Sequence, residues 1–147
     1  MIIEKRLISK PEKKNERNNN SMDSPKKILI VDDDEEICSI FKEALESEGY
    51  IISTAQNGKQ ALVKIKEEQF DLIITDKMMP QMGGLRLTRA IRKHDPNVKI
   101  VMITGFGGPK TYINAMELGA DEYLNKPFRI NELKKFVANI LKPQAPL

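Results

Sequence analysis

Residues 26–34 read KKILIVDDD, and this stretch decides the fold. Its four consecutive apolar residues, Ile28 to Val31, do not alternate with polar ones. Such a run is typical of a strand that is buried on both faces of a parallel sheet. Three acidic residues follow it directly, so the predicted strand ends at a strongly polar position. The stretch therefore predicts a parallel sheet and a candidate site at the point where its strands end.

The same pattern of a strand followed by a helix recurs four more times toward the C-terminus. Strands are predicted at 28–31, 50–55, 71–75, 98–103 and 122–124. Helices are predicted around 37–45, 61–65, 85–92, 112–118 and 130–141. This alternation indicates an α/β fold with a parallel sheet, and right-handed crossovers place helices on both faces.

Length and composition exclude several classes of protein. At 147 residues, one domain is expected. One cysteine cannot form an internal disulfide, and one cysteine with one histidine cannot build a zinc or iron–sulfur site. No apolar stretch is long enough to span a membrane, and the apolar run at the N-terminus is too short for a signal peptide. We therefore expect a soluble, cytoplasmic protein with no membrane partner.

The formal charge of +3 raises the question of an acidic partner such as nucleic acid. Residues 1–24 contain six basic and four acidic residues, and residues 25–147 contain eighteen and seventeen. The first segment is polar, low in complexity and without aromatic residues, which predicts a disordered leader rather than a nucleic-acid-binding arm. We expect a nearly neutral folded domain at 25–142, a flexible end at 143–147, and no nucleic acid bound by this chain.

Polar residues suited to phosphate and metal chemistry follow four of the predicted strands. They are Asp32 to Asp34, Asp76, Thr104 with Gly105, and Lys126 with Pro127. In open α/β sheets, ligands bind outside the C-terminal ends of the strands. Converging carboxylates suit Mg²⁺, and a carboxylate can attack phosphorus to give an aspartyl phosphate. Each residue also has an ordinary structural interpretation, such as an Asp that caps a helix, but one Asp suffices for a cap and three repel one another.

Four motifs together resemble the receiver domain of bacterial response regulators. They are KKILIVDDDEE, DLIITDKMMPQMGG, IVMITGFG and AMELGADEYLNKPF, and the resemblance covers residues 26–141. The resemblance implies a doubly wound, flavodoxin-like sheet of five parallel strands in the order 2-1-3-4-5, with five helices on two faces.

The resemblance also implies roles for the acidic residues. Asp76 would be the phosphoacceptor. Mg²⁺ would be the cofactor, held by Asp33, by Asp76 and by the backbone carbonyl of Met78. Asp32 would act on it through a bound water.

Further roles follow from the same resemblance. Thr104, Gly105 and Lys126 would bind the phosphoryl group. Thr104 would also act as a switch together with Tyr123, which would turn inward on activation. Met78 and Phe106 occupy positions that tune how readily water attacks the aspartyl phosphate. Because both are apolar, we expect slow self-dephosphorylation.

Members of this family accept a phosphoryl group from a phosphohistidine on a sensor kinase or a phosphotransfer protein. The resemblance therefore implies two-component signal transduction, in which the receiver catalyses its own phosphorylation and dephosphorylation. It would then switch a protein-binding surface, as a monomer or as a phosphorylation-dependent dimer. The downstream target is a separate protein or an output domain missing from this chain.

Three alternatives remain open on the sequence alone. The receiver is either a stand-alone protein or part of a longer regulator. A phosphohydrolase of the haloacid-dehalogenase type would use Asp32 and Asp34, although Glu35 departs from its motif and the chain lacks room for a cap module. A degenerate receiver would bind partners without phosphorylation, against which the set of Asp33, Asp76, Thr104 and Lys126 argues.

Overall fold

The computed structural model describes residues 24–105 and 108–143. Five strands form one parallel sheet in the order β2-β1-β3-β4-β5. The predicted fold class and strand order are therefore confirmed. The expected leader, apart from Ser24, and the expected flexible end, apart from Pro143, lie outside the described residues.

Strands and helices alternate along the whole described chain. The strands are β1 (Lys27–Val31), β2 (Ile51–Ala55), β3 (Leu72–Asp76), β4 (Lys99–Thr104) and β5 (Glu122–Asn125). The helices are α1 (Glu35–Glu46), α2 (Gly58–Glu67), α3 (Gly84–His94), α4 (Pro109–Glu117) and α5 (Ile130–Leu141). Each predicted element is present, with ends shifted by a few residues. In the described part of the chain, no helix has the length and apolar character needed to cross a membrane.

The core has two layers, one on each face of the sheet. Alternate β1 residues point in opposite directions, so Ile28 and Ile30 pack with α1 and α5, while Leu29 and Val31 pack with α2 and α3. All four are buried. This two-sided burial is why the strand shows no alternation in its sequence.

At the N-terminal end of the sheet, two carboxylates accept hydrogen bonds from backbone N–H groups of the strands. Asp71 accepts a hydrogen bond of 2.8 Å from the backbone N–H of Lys27, at the start of β1. Asp121 accepts one of 2.8 Å from the N–H of Ile100 in β4. Backbone donors that would otherwise lack a strand partner are satisfied in this way.

Arg92 of α3 joins three elements at this same end of the sheet. Its guanidinium donates to Asp121 at 2.8 Å, to the carbonyl of Gly119 at 2.8 Å, and to the carbonyl of Val98. Gly119 has a φ of +109°, and a Cβ there would lie 2.7 Å from the Cγ of Arg92. We call Arg92, Asp121 and Gly119 the arginine clamp. It ties the turn between α4 and β5 to α3 and β4.

Candidate functional site

The predicted site residues lie at the C-terminal end of the sheet, each at the end of a different strand. Asp32 follows β1, Asp76 is the last residue of β3, Thr104 is the last residue of β4, and Lys126 follows β5. Because β1, β3, β4 and β5 are neighbours, these ends converge. The order of the strands reverses between β1 and β3, which is where such sheets bind ligands.

Three carboxylates form the centre of the site. Asp32, Asp33 and Asp76 each offer an oxygen, and these atoms lie within 4.8 Å of one another. Asp32 is buried, Asp76 is half-buried and Asp33 is exposed. A set of oxygen donors at this spacing fits a hard divalent cation such as Mg²⁺.

Asp34 belongs to the helix and not to the acidic cluster. Its side chain accepts hydrogen bonds from the backbone N–H groups of Glu36 and Ile37, which makes it the N-cap of α1. Among the three consecutive residues Asp32, Asp33 and Asp34, therefore, Asp34 caps the helix, and Asp32 and Asp33 are available to the site. An aspartate pair of Asp32 and Asp34, which the hydrolase alternative requires, does not form here, because the Asp34 carboxylate holds the helix.

Burial and repulsion perturb the two inner carboxylates. The pKa of Asp32 is raised to about 6, mainly because the side chain is buried. A hydrogen bond from the Asp34 N–H lowers this pKa, and the negative charge of Asp76 raises it. Burial also raises the pKa of Asp76. The positive charge of Lys126 lowers this pKa, and the negative charge of Asp33 raises it. Such perturbed carboxylates in one cluster are typical of functional sites. A bound cation would relieve the repulsion.

Lys126 supplies the positive charge on the other side of Asp76. Its Nζ lies 3.6 Å from Oδ1 of Asp76. The backbone N–H of Lys126 donates to the carbonyl of Thr104 at 2.8 Å, which continues the pairing of β5 with β4. Asp76 thus has anions on one side and a cation on the other, an arrangement suited to a group that carries several oxygens.

The remaining predicted residues surround this centre or lie beside it. Thr104 is fully buried, and Gly105 and Met78 are exposed. A Cβ at Gly105 would lie 3.9 Å from the Cβ of Lys126, an ordinary van der Waals contact, so Gly105 lies directly beside Lys126. Phe106 lies outside the described residues.

Tyr123 is the second of the four residues of β5 and lies opposite Met102 of β4. Its hydroxyl is buried and has no hydrogen-bond partner among the described residues, and burial raises its pKa. The ring of Tyr112 from α4 meets it edge-on at a centroid distance of 5.8 Å. A buried hydroxyl without a partner is costly, which makes this side chain a candidate for movement.

The structure adds contacts that the sequence analysis missed. Oγ1 of Thr75 donates to the backbone carbonyl of Asp76 at 3.0 Å, and Sγ of Cys38 donates to the carbonyl of Asp32 at 3.4 Å. A Cβ at Gly84 would lie 2.5 Å from the Asp76 carbonyl oxygen, so only glycine allows α3 to start this close. The pair Gly83-Gly84 was visible in the sequence, but its contact with Asp76 depends on the fold.

Comparison with known proteins gives the family. The profile described as "Response regulator receiver domain" matches residues 28–138, which is most of the chain. The chain belongs to this family. The receiver is 40% identical over 107 residues to the transcriptional regulatory protein CpxR of Escherichia coli, covering 73% of this chain and 45% of that protein. It is 34% identical over 104 residues to the transcriptional regulatory protein ZraR of Klebsiella oxytoca, covering 71% of this chain and 24% of that protein.

Solved structures agree with the fold of this receiver. A CheY-like receiver domain protein from Methanospirillum hungatei matches with a TM-score of 0.77 and 36% identity, over 80% of this chain and 94% of that one. The response regulator protein TrrA from Thermotoga maritima, in complex with Mg²⁺-BeF, matches with a TM-score of 0.71 and 39% identity, over 78% and 98%. The chain spans less than half the length of CpxR and ZraR. It is a receiver domain of two-component signalling.

Proposed function

We propose that Asp76 accepts a phosphoryl group from a phosphohistidine on a sensor kinase or a phosphotransfer protein. The observation that carries the proposal is the environment of Asp76, with Lys126 Nζ at 3.6 Å on one side and Asp32 and Asp33 on the other. Its side chain is only 12% exposed, so a charged group bound there is partly shielded from water. Electrostatic stabilisation is stronger in such a setting.

The transfer balances as a simple displacement at phosphorus. A carboxylate oxygen of Asp76 forms the new P–O bond while the P–N bond of the phosphohistidine breaks, and the bonding electrons leave with the imidazole nitrogen. Lys126 is placed to pair with one phosphoryl oxygen, and Thr104 and Gly105 would bind others. The receiver would thus catalyse its own phosphorylation, and later the attack of water on the aspartyl phosphate.

Mg²⁺ is the cofactor that the donor set favours. Asp33, Asp76 and the backbone carbonyl of Met78 would hold the ion, with Asp32 acting through a bound water. When bound, Mg²⁺ neutralises charge on the phosphoryl oxygens. The spacing of the three carboxylates and the raised pKa of Asp32 support this assignment. That TrrA binds Mg²⁺-BeF supports it by analogy.

The phosphoryl group would act as a switch through Thr104 and Tyr123. Thr104 would be drawn to the phosphoryl group, and Tyr123 would change position beside α4, altering the surface of α4, β5 and α5. The unpartnered hydroxyl of Tyr123 and its edge contact with Tyr112 support this role. A downstream protein, or an output domain of a longer regulator, would bind the altered surface.

The proposed domain comprises residues 25–142, preceded by a leader at 1–24. In the cytoplasm, where sensor kinases present their phosphohistidine, it would act as a monomer or as a phosphorylation-dependent dimer. Its limited coverage of CpxR and ZraR favours neither the stand-alone form nor the longer regulator by itself.

The test is uptake of phosphate from acetyl phosphate with Mg²⁺, followed by mass spectrometry of the intact protein. We expect the wild-type chain to gain one phosphoryl group and Asp76→Asn to gain none. Asp34→Asn is the matched control, because Asn caps a helix as well as Asp does, and it should leave uptake intact.

Two outcomes would contradict the proposal. Uptake by Asp76→Asn but not by Asp32→Asn would favour a hydrolase that uses Asp32. Failure of the folded wild-type chain to take up phosphate or to bind beryllofluoride with Mg²⁺ would favour a receiver that binds partners without phosphorylation.

A further inference from the structure

The outer surface of α2 and α3 is basic. It carries Lys59, Lys66, Arg86, Arg89 and Lys93, all exposed, and we call these five residues the α2–α3 basic face. Arg86, Arg89 and Lys93 follow the spacing i, i+3, i+7, so they form one stripe along α3. Lys59 and Lys66 are seven residues apart and share one side of α2.

The charge of this face is not balanced by its own helices. No acidic residue occurs in α3, and Glu67 is the one acid within α2. Within the described residues, none of the five cations belongs to an ion pair. On the opposite face of the sheet, by contrast, Lys42 pairs with Glu46 and Lys134 with Glu48. The unpaired cations are therefore available to a partner.

Apolar surface lies among these cations. Val63, on the same side of α2 as Lys59 and Lys66, is 54% exposed. Between the start of α2 and the loop before α3 lies a groove of about 310 Å³, with Pro80 and Met82 in its wall and Lys59 and Arg86 at its sides. Such a groove admits one apolar side chain flanked by two positive charges.

We propose that the α2–α3 basic face binds an acidic polypeptide segment that carries an apolar anchor residue. The stripe of Arg86, Arg89 and Lys93 complements a run of Asp and Glu, and the groove takes the anchor. A nucleic acid fits less well, because neither helix offers an exposed aromatic side chain for base stacking. A membrane surface also fits less well, because Val63 is the one large exposed apolar residue on the two helices.

The α2–α3 basic face is distinct from the proposed phosphoacceptor but is connected to it through the backbone. The N–H of Gly84 donates to the carbonyl of Lys77 at 2.9 Å, and Arg86 follows within the first turn of α3. The proposal does not require phosphorylation, so it can fail or succeed independently of the role of Asp76.

Fluorescence anisotropy with the full chain tests the proposal. The probe is a fluorescein-labelled peptide of repeated Asp-Glu-Leu-Glu units, and its neutral counterpart is built of Asn-Gln-Leu-Gln. We expect the acidic peptide to bind, the neutral one not to bind, and the affinity to fall with salt. The variant R86E/R89E/K93E should lose at least about tenfold in affinity, from three charged contacts.

A matched variant separates this site from general charge attraction. K10E/K13E/K14E makes the same change in net charge within residues 1–24, outside the α2–α3 basic face, and should bind the acidic peptide nearly as well as the wild type. Equal loss in both variants, or absence of binding by the wild type, would overturn the proposal. Tighter binding of a short DNA duplex, or of phosphatidylserine vesicles, lost in R86E/R89E/K93E, would overturn it in favour of those partners.

Discussion

At the N-terminal end of the sheet, Asp71 and Asp121 lie apart and each accept the N–H of a different strand, whereas at the C-terminal end Asp32, Asp33 and Asp76 have oxygens within 4.8 Å of one another, although Asp32 also accepts the N–H of Asp34. At the first end, Arg92 also pairs with Asp121. At the second, Lys126 is the one described cation within ion-pair distance of the cluster. The N-terminal end is therefore built for stability, and the C-terminal end retains repulsion that a ligand can relieve.

The largest effect is expected from breaking the arginine clamp. Arg92→Met keeps the aliphatic packing but removes the guanidinium donor of the Gly119 and Val98 carbonyls and leaves Asp121 with the N–H of Ile100. We expect the free energy of unfolding to fall by about 2–4 kcal/mol, the lower values reflecting the partial exposure of Asp121. Urea unfolding measures this, with the exposed Arg89→Met as the control; equal losses in both variants would contradict the role of the clamp.

Mg²⁺ should stabilise the protein through the C-terminal end alone. A ligand that binds only the folded state adds about 2.7 kcal/mol at a hundred times its dissociation constant. We expect the thermal midpoint of the wild type to rise with Mg²⁺ and that of Asp33→Asn to rise much less. Asp71→Asn, at the other end of the sheet, should respond as the wild type does. An equal response of Asp33→Asn would place the ion elsewhere.

Asp32→Asn should stabilise the Mg²⁺-free protein near neutral pH by about 1–2 kcal/mol. Because the pKa of Asp32 is raised to about 6 in the folded state, the folded protein holds this proton more tightly than the unfolded chain does. The protonated Asp32 carboxyl therefore contributes its full stabilisation below pH 4, and this stabilisation is lost as the pH rises through about 6. The Asn side chain still accepts the N–H of Asp34 and does not ionise.

Thermal unfolding of both proteins across this pH range measures the difference between them. The two curves should approach each other below pH 4 and separate above pH 6. Curves that run parallel throughout would show that the benefit of Asn does not come from ionisation.

The smallest effect is kinetic and concerns Met78. The exposed, apolar side chain of Met78 cannot orient a water by hydrogen bonding. Met78→Asn should add about 1 kcal/mol of stabilisation to the attack of water, which corresponds to about fivefold faster loss of the phosphoryl group. The half-life of the phosphorylated protein measures it, with Met78→Leu as the control. An unchanged half-life in Met78→Asn would contradict this role.

The sequence predicts the residues that meet at the C-terminal end of the sheet better than those that meet at the N-terminal end. Asp32, Asp76, Thr104 and Lys126 each stand at a strand end, so the strand pattern alone predicts that they converge. Asp121 and Arg92 are 29 residues apart, and Asp121 precedes β5 at the N-terminal end of the sheet, where no ligand site is expected. Their contact follows from the packing of α3 against the turn after α4, which no local pattern encodes.

The division of labour within Asp32 to Asp34 was open for a similar reason. Any of the three could have capped α1 on composition alone, because each is an Asp just before the helix. The backbone geometry decides it, since Asp34 directly precedes the helix in an extended conformation and accepts from the N–H groups of Glu36 and Ile37. The buried hydroxyl of Tyr123 likewise depends on where α4 lies.

Cys38 can report how often the protein opens at the C-terminal end of its sheet, beside the carboxylate cluster. Its thiol is 4% exposed, donates to the Asp32 carbonyl, and has a pKa raised to about 11 by burial, so near pH 8 only about one molecule in a thousand holds a thiolate. We therefore expect a disulfide-exchange reagent to react mainly when local opening exposes Cys38. Since Cys38 is the one cysteine of the chain, the rate of that reaction measures how often this single site opens.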